Sequence, residues 1–151
     1  MIIKKPTIFD IPKIQKLLKP FIVDGIILPR DDDEIATNIR SYVIVEENDE
    51  IIGMGALHIY SQNLAEIRSL AVSPNHQKKG IGKQIIQFLE KEAKHLGVKQ
   101  LLTLTYQKEF FEKLGFKEIP KEAVPEHKVW SDCIKCPHFP NCNEISLIKT
   151  I

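Results

Sequence analysis

Apolar positions along the chain recur with two periods, and their alternation marks out helices and strands. Ile11, Ile14, Leu17 and Leu18 form a stripe at helical spacing, with Asp10 placed to cap it and Pro12 in its first turn. Residues 21–30, carrying Gly25 and Pro29, read as a loop. Asp31, Asp32 and Asp33 then start a short second helix, where acidic side chains complement the helix dipole. Ile2 and Ile3 end a first strand, and the β-rich segments 42–46 and 51–60 form a hairpin across the turn 47–50. The apolar run 65–72 is the next strand and stops at Ser73-Pro74. A long amphipathic helix follows from about Gly80 to residue 96, with Ile81, Ile85, Phe88, Leu89 and Leu96 on one face and Gly97 as its stop. Residues 100–105 form a strand and 110–114 a short helix ending at Gly115; a proline-rich stretch leads to a last strand near 145–149. There is no internal repeat and no linker. The order is mixed α and β with an early hairpin, unlike a strictly alternating doubly wound sheet.

Composition narrows the picture. A chain of 151 residues fits one domain, residues 1–151, with a substantial core. A net charge of +1 gives no bulk attraction for nucleic acid or an acidic membrane, so an anion site must be local and small-molecule partners are expected. No apolar run approaches the roughly 20 residues that cross a bilayer, and the N-terminus lacks the pattern of a signal peptide. A cytoplasmic protein is expected. Cys133, Cys136 and Cys142 crowd into a flap at about 125–145. In a reducing compartment such crowding suggests a metal or a local structural role more than a disulfide framework.

The segment 65–82 carries the most chemistry. A strand, a turn with Gln77, Lys78, Lys79, Gly80, Ile81 and Gly82, and a helix start in succession. This gathers backbone N–H groups at the positive end of a helix, an arrangement suited to phosphate. A side chain at Gly80 or Gly82 would hold a diphosphate off the backbone.

Leu70-Ala71-Val72, the Gln77-x-x-Gly80-x-Gly82 turn and Phe111-Glu112-Lys113-Leu114-Gly115-Phe116 together resemble the GNAT superfamily of acetyl-coenzyme A-dependent N-acetyltransferases. The resemblance implies an α/β (α+β) GNAT fold: a mixed central sheet with a splayed parallel strand pair and flanking helices. Three further stretches, 25–30, 55–60 and 128–133 with Cys136-Pro137 and Cys142, look like the short single-domain bacterial amino-acid N-acetyltransferases identified as N-acetylglutamate synthases; Leu104-Thr105-Tyr106-Gln107 adds to the match. That likeness implies transfer of acetyl from acetyl-coenzyme A to the α-amine of L-glutamate, at the entry to arginine biosynthesis. The longer synthases carry an amino-acid-kinase-like domain that holds arginine control, for which 151 residues leave no room. Another small amine or a protein N-terminus as acceptor, and a non-catalytic acetyl-coenzyme A-binding module, are the alternatives. A homodimer is left open.

By the same resemblance, strands 65–72 and 100–105 hold the cofactor between them. The backbone of Leu70 and Val72 would pair with the pantetheine arm as an added strand does. The amides of 77–82 would hold the pyrophosphate, with Lys78 and Lys79 adding attraction or serving as solvated surface charge. Acyl transfer to an amine needs a proton acceptor, an oxyanion donor and a stabilised leaving thiolate. Glu66 is the expected base, directly or through water, with His58 and His127 as lesser candidates. A backbone N–H near Ala71 or Val72 is the expected oxyanion donor. Many superfamily members place a tyrosine acid where this chain has Phe111, whose ring has no proton to give. Phe111 is therefore expected only to line the cofactor, and Tyr106 is the replacement acid or a pocket wall. A dicarboxylate acceptor calls for fixed cations, and Arg30, Arg68 and Lys128 are the candidates. Arg68 shares strand parity with Glu66, for either a common site or a salt bridge. Cys133, Cys136 and Cys142, with a fourth ligand from a histidine (His138 and His127 are nearby) or a carboxylate, could hold a tetrahedral zinc, or the three could simply shape the flap, with or without one disulfide; Trp130 would anchor it.

Overall fold

The computed structural model describes residues 1–124 and 144–151. The elements are β1 (Ile2–Lys4), α1 (Ile11–Val23), α2 (Asp32–Thr37), β2 (Tyr42–Glu47), β3 (Glu50–Ile59), β4 (Leu64–Val72), α3 (Ile81–Leu96), β5 (Gln100–Thr105), α4 (Lys108–Glu112), β6 (Lys117–Ile119) and β7 (Ile145–Thr150). Seven strands form one sheet in the order β1-β2-β3-β4-β5-β7-β6. Every neighbouring pair is antiparallel except β4–β5, which is parallel. The mixed sheet with flanking helices is the expected GNAT architecture.

The sheet is coated on both faces. On one, Ile81, Ile85, Leu89 and Ala93 of α3 pack on Val43, Leu57, Ile67 and Leu101. On the other, Ile14 and Leu18 of α1 and Ile35 of α2 pack on Ile44, Met54, Ala56 and Ala71. Each such aliphatic side chain contributes about 1.5–3 kcal/mol on burial. Helix α3 sits close because β3 presents glycine beneath it: a Cβ at Gly55 would lie 2.8 Å from Ile85 Cγ2 and 3.1 Å from Leu89 Cδ1. Gly97 ends α3 at φ 89°, its N–H donating to the Ala93 and Lys94 carbonyls. Lys13 donates to Asp49 at 2.9 Å, fastening α1 to the β2–β3 turn, and this ammonium holds the Asp49 carboxyl below its ordinary range.

Four local expectations are revised. Helix α1 continues to Val23, through Pro20 and over residues expected to be loop. Phe21 and Ile22 pack against the α1-side core, and that burial outweighs the proline's missing donor. Asp10 caps backwards: its Oδ2 accepts the Thr7 N–H at 2.8 Å and makes no side-chain bond to α1. Helix α4 starts two residues before the expected position, at Lys108. The short β6, two of its three residues exposed, carried no alternating pattern to read. Asp31 behaves as expected, its Oδ1 accepting the Glu34 N–H at 2.8 Å as the cap of α2.

Candidate active site

Strands β4 and β5 begin side by side and then part. Their register runs Leu64↔Gln100, Ala65↔Leu101 and Glu66↔Leu102, and pairing ends there. Beyond it the Thr103 hydroxyl donates to the Ile67 carbonyl at 3.2 Å, bridging the vertex of the split. The split opens into a cleft of about 130 Å³, walled by Arg68 and Leu70 of β4, Thr105 and Tyr106 at the end of β5, Phe111 of α4, and Ile27 of the α1–α2 loop.

A bulge shapes the β4 side. Met54 pairs with Ala71 while Ala56 pairs with Arg68, so β4 carries one more residue than β3 across this interval. Ser69 takes up the excess at φ 56°. Strand parity therefore reverses: Ala65 and Ile67 face α3 before the bulge, whereas Leu70 and Val72 do so after it. Ala71 joins the α1-side core. Glu66 and Arg68 keep a common face, as their spacing predicts.

Glu66 is only 1% exposed. The Tyr60 hydroxyl donates to its Oε1 at 2.6 Å, and His58 is its register partner on β3. Arg68 Nη2 lies 3.2 Å from His58 Nδ1, and the His58 ring meets Tyr60 edge-on at 4.7 Å. Glu66 and Arg68 of β4, His58 of β3 and Tyr60 just past the end of β3 are thus linked side chain to side chain, and of the four Arg68 walls the cleft. Tyr60 was not foreseen. The cue was its even-numbered spacing from His58, which places it on the Glu66 face once the β3–β4 register is known.

The turn before α3 has the expected form. Gln77 Nε2 donates to the Val72 carbonyl at 3.1 Å, tying the turn to the end of β4. Lys78 and Gly80 both adopt left-handed backbone, φ 63° and 81°. No side chain caps the start of α3, so its first N–H groups are available to an anion. The two glycines have different reasons. Gly80 supplies the left-handed turn with open space around it, whereas a Cβ at Gly82 would stand 3.3 Å from the Phe110 ring of α4.

Other expected site residues are distributed as follows. Phe111 is a core residue, 2% exposed and edge-on to Phe110 and Phe116, while also forming part of the cleft wall. Tyr106 is 44% exposed at the mouth. Arg30 stands three residues beyond Ile27, with Nη1 at 3.4 Å from both Glu34 carboxylate oxygens and its carbonyl accepting from Gln15 Nε2 at 2.7 Å. Its side chain is thus held against α2 and is not among the groups walling the cleft. His127, Lys128, Trp130, Cys133, Cys136, His138 and Cys142 lie outside the described residues. Among the described residues, no group of three or more His, Cys, Asp or Glu is placed to hold a metal ion, and no helix is long and apolar enough to cross a membrane.

Comparison with known proteins agrees with this geometry. The model of the acetyltransferase (GNAT) family matches residues 12–116. An uncharacterized N-acetyltransferase of Chlorobaculum tepidum is 34% identical over 99% of this chain and 96% of its own length. An amino-acid acetyltransferase of Mannheimia succiniciproducens is 30% identical over 83% of this chain, but the match spans only 29% of that protein. The solved N-acetylglutamate synthase of Neisseria gonorrhoeae, complexed with coenzyme A and N-acetylglutamate, superposes with a TM-score of 0.89 at 26% identity. That superposition covers 99% of this chain and 34% of the synthase chain.

Proposed function

Because the chain belongs to the acetyltransferase (GNAT) family, we propose that it transfers acetyl from acetyl-coenzyme A to the α-amine of L-glutamate, giving N-acetylglutamate for arginine biosynthesis in the cytoplasm. The observation that carries this reading is a parallel strand pair that splits just past a buried glutamate, Glu66, into a cleft walled by Arg68. The likeness to the Neisseria synthase over almost the whole chain supports the choice of acceptor.

In this reading the uncapped start of α3 and the amides of 77–82 hold the pyrophosphate, with Lys78 and Lys79 adding attraction. The β5-facing edge of Leu70, Ala71 and Val72, which has no strand partner beyond Glu66 among the described residues, receives the pantetheine arm by strand-like pairing. Phe111 supplies an apolar wall. Arg68, with Arg30 and Lys128, takes the acceptor's carboxylates. Glu66 accepts the proton of the α-ammonium, directly or through a water molecule. The freed amine nitrogen then attacks the thioester carbonyl carbon, and a backbone N–H near Ala71 or Val72 stabilises the oxyanion. The carbon–sulfur bond breaks, Tyr106 at the cleft mouth donates a proton to the thiolate, and the second proton leaving the nitrogen is passed through water to restore the Tyr106 hydroxyl.

The test is release of free thiol with glutamate, glutamine, aspartate, lysine and a short peptide as acceptors. A kcat/KM for glutamate at least tenfold above the others supports the proposal. A preference for lysine or the peptide replaces the acceptor, and no release above hydrolysis with any of them leaves a binding module. Acetylation of another small amine is the second reading. It is favoured by the Chlorobaculum relative, which matches this chain nearly end to end where the amino-acid acetyltransferases match over less than a third of their length.

A further inference from the structure

We infer that Thr103 is a positioning residue: its hydroxyl stops the β4–β5 seam at one rung and so sets how deep in the cleft an extended ligand arm can seat. Its role rests on the reading of the split as the seat of the pantetheine arm. In a parallel pair the rungs are backbone N–H···O=C bonds. The ladder here runs from Leu64↔Gln100 to Glu66↔Leu102 and goes no further. One more rung would bring a backbone N–H of β5 to the Ile67 carbonyl. That carbonyl instead accepts the Thr103 hydroxyl at 3.2 Å, a side-chain donor in place of a backbone one.

Both residues line the cleft where it closes, yet Ile67 is 1% exposed and Thr103 3%. Thr103 sits between Leu102 and Leu104, opposite Leu147 of β7, in a run where valine would offer the same branched shape. The hydroxyl is therefore what this position adds. Each strand is secured on its outer side: β5 pairs with β7 from Gln100↔Thr150 to Thr105↔Ile145, and β4 pairs with β3 as far as Val72. The point at which the inner edges part is set by the Thr103 bond. Without the hydroxyl, either the seam zips on by a rung or the Ile67 carbonyl loses its donor. The first course moves the vertex about 3.3 Å toward Leu70, the rise of one residue, and shortens the edge open to the arm. The second leaves an unpaired oxygen at the closed end of the cleft. Both disturb the seat of the arm and leave the turn at 77–82 as it was.

Thr103→Val removes the hydroxyl and keeps the shape. Coenzyme A and 3′,5′-ADP, which lacks the arm, are titrated calorimetrically into the parent protein and T103V. The Kd of coenzyme A is expected to rise about tenfold, the order of one buried hydrogen bond, with that of 3′,5′-ADP within about twofold. With acetyl-coenzyme A, kcat should fall about tenfold while the KM of glutamate stays within about twofold, because the reacting end of the donor is misplaced. Thr103→Ser keeps a donor and should recover most of the affinity that T103V loses. Should T103V fail to fold, T103S and T103A, which differ by a hydroxyl alone, carry the same comparison. Coenzyme A and 3′,5′-ADP weakened equally, or neither weakened, overturn the positioning role and make Thr103 a prop of the sheet. A parent protein that binds the two ligands equally takes the arm out of the split and overturns that role as well. The acceptor reading fails separately: a parent that prefers coenzyme A, loses that preference in T103V and leaves glutamate unacetylated sustains Thr103 as the positioning residue and removes glutamate as acceptor.

Discussion

At the scale of single residues, the proposed reading turns on Glu66, a glutamate buried inside the sheet. Glu66 is one of three buried polar or charged side chains among the described residues, and the other two, Thr103 and Ser146, are neutral. Glu66→Gln is expected to lower kcat near neutral pH by about 10²–10⁴-fold. The deficit should shrink at high pH, where the acceptor amine is already free; a loss of equal size at every pH would assign Glu66 a structural role. Arg30 poses a different question, since its guanidinium is 3.4 Å from the Glu34 carboxylate on α2. Arg30→Ala is expected to raise the KM of glutamate about tenfold with little change for acetyl-coenzyme A, as loss of one charge-assisted contact would do. Equal rises in both KM values would make it a strut of the α1–α2 loop. Glu66 was singled out in the sequence by its position relative to Val72 and the glycine turn, and the structure adds that it is buried. Its contact with Tyr60 was not legible: Tyr60 reaches it across a turn, and only the register of β3 on β4 decides which side chains meet.

At the scale of elements, what the hydrophobic pattern showed best were the long pieces. Helix α3 and strands β2 to β5 each bury a continuous apolar stripe, and their periodicity survives in the sequence. The bulge at Ser69 escaped notice because an alternating run looks the same with or without one extra residue; the reversal appears only when β3 is laid beside β4. Strand β6 escaped because a three-residue edge strand with exposed Lys117 and Glu118 has no buried stripe to betray it. Packing of α3 onto β3 is the element contact most open to test. Gly55→Ala puts a methyl 2.8 Å from Ile85 Cγ2, too close without a shift of the helix. It should cost about 1–3 kcal/mol, read as a lower denaturant midpoint at unchanged slope. An unchanged midpoint would mean that Ile85 and Leu89 simply swing aside.

At the scale of the whole molecule, the sheet is two blocks joined by a short seam. Strands β1 to β4 form one antiparallel block and β5, β7 and β6 the other; only Leu64 to Glu66 and Gln100 to Leu102 pair across. Past that seam, among the described residues, no strand lies between the facing edges of β4 and β5, and the Thr103–Ile67 hydrogen bond spans the vertex. An extended ligand arm seated there would supply pairing that the sheet lacks and would join the two blocks. A ligand that binds the folded state alone stabilises it by RT ln(1 + [L]/Kd), about 2.7 kcal/mol at a hundredfold excess over Kd. For a domain of this size that corresponds to a rise in Tm of about 5–10 °C. Coenzyme A at such an excess is therefore expected to raise the melting temperature by that amount. 3′,5′-ADP lacks the arm, so it should bind more weakly and, at the same concentration, give a smaller rise. Equal shifts from the two would place all the binding at the α3 turn and none in the cleft. No shift from coenzyme A would remove the split strands from the donor site altogether.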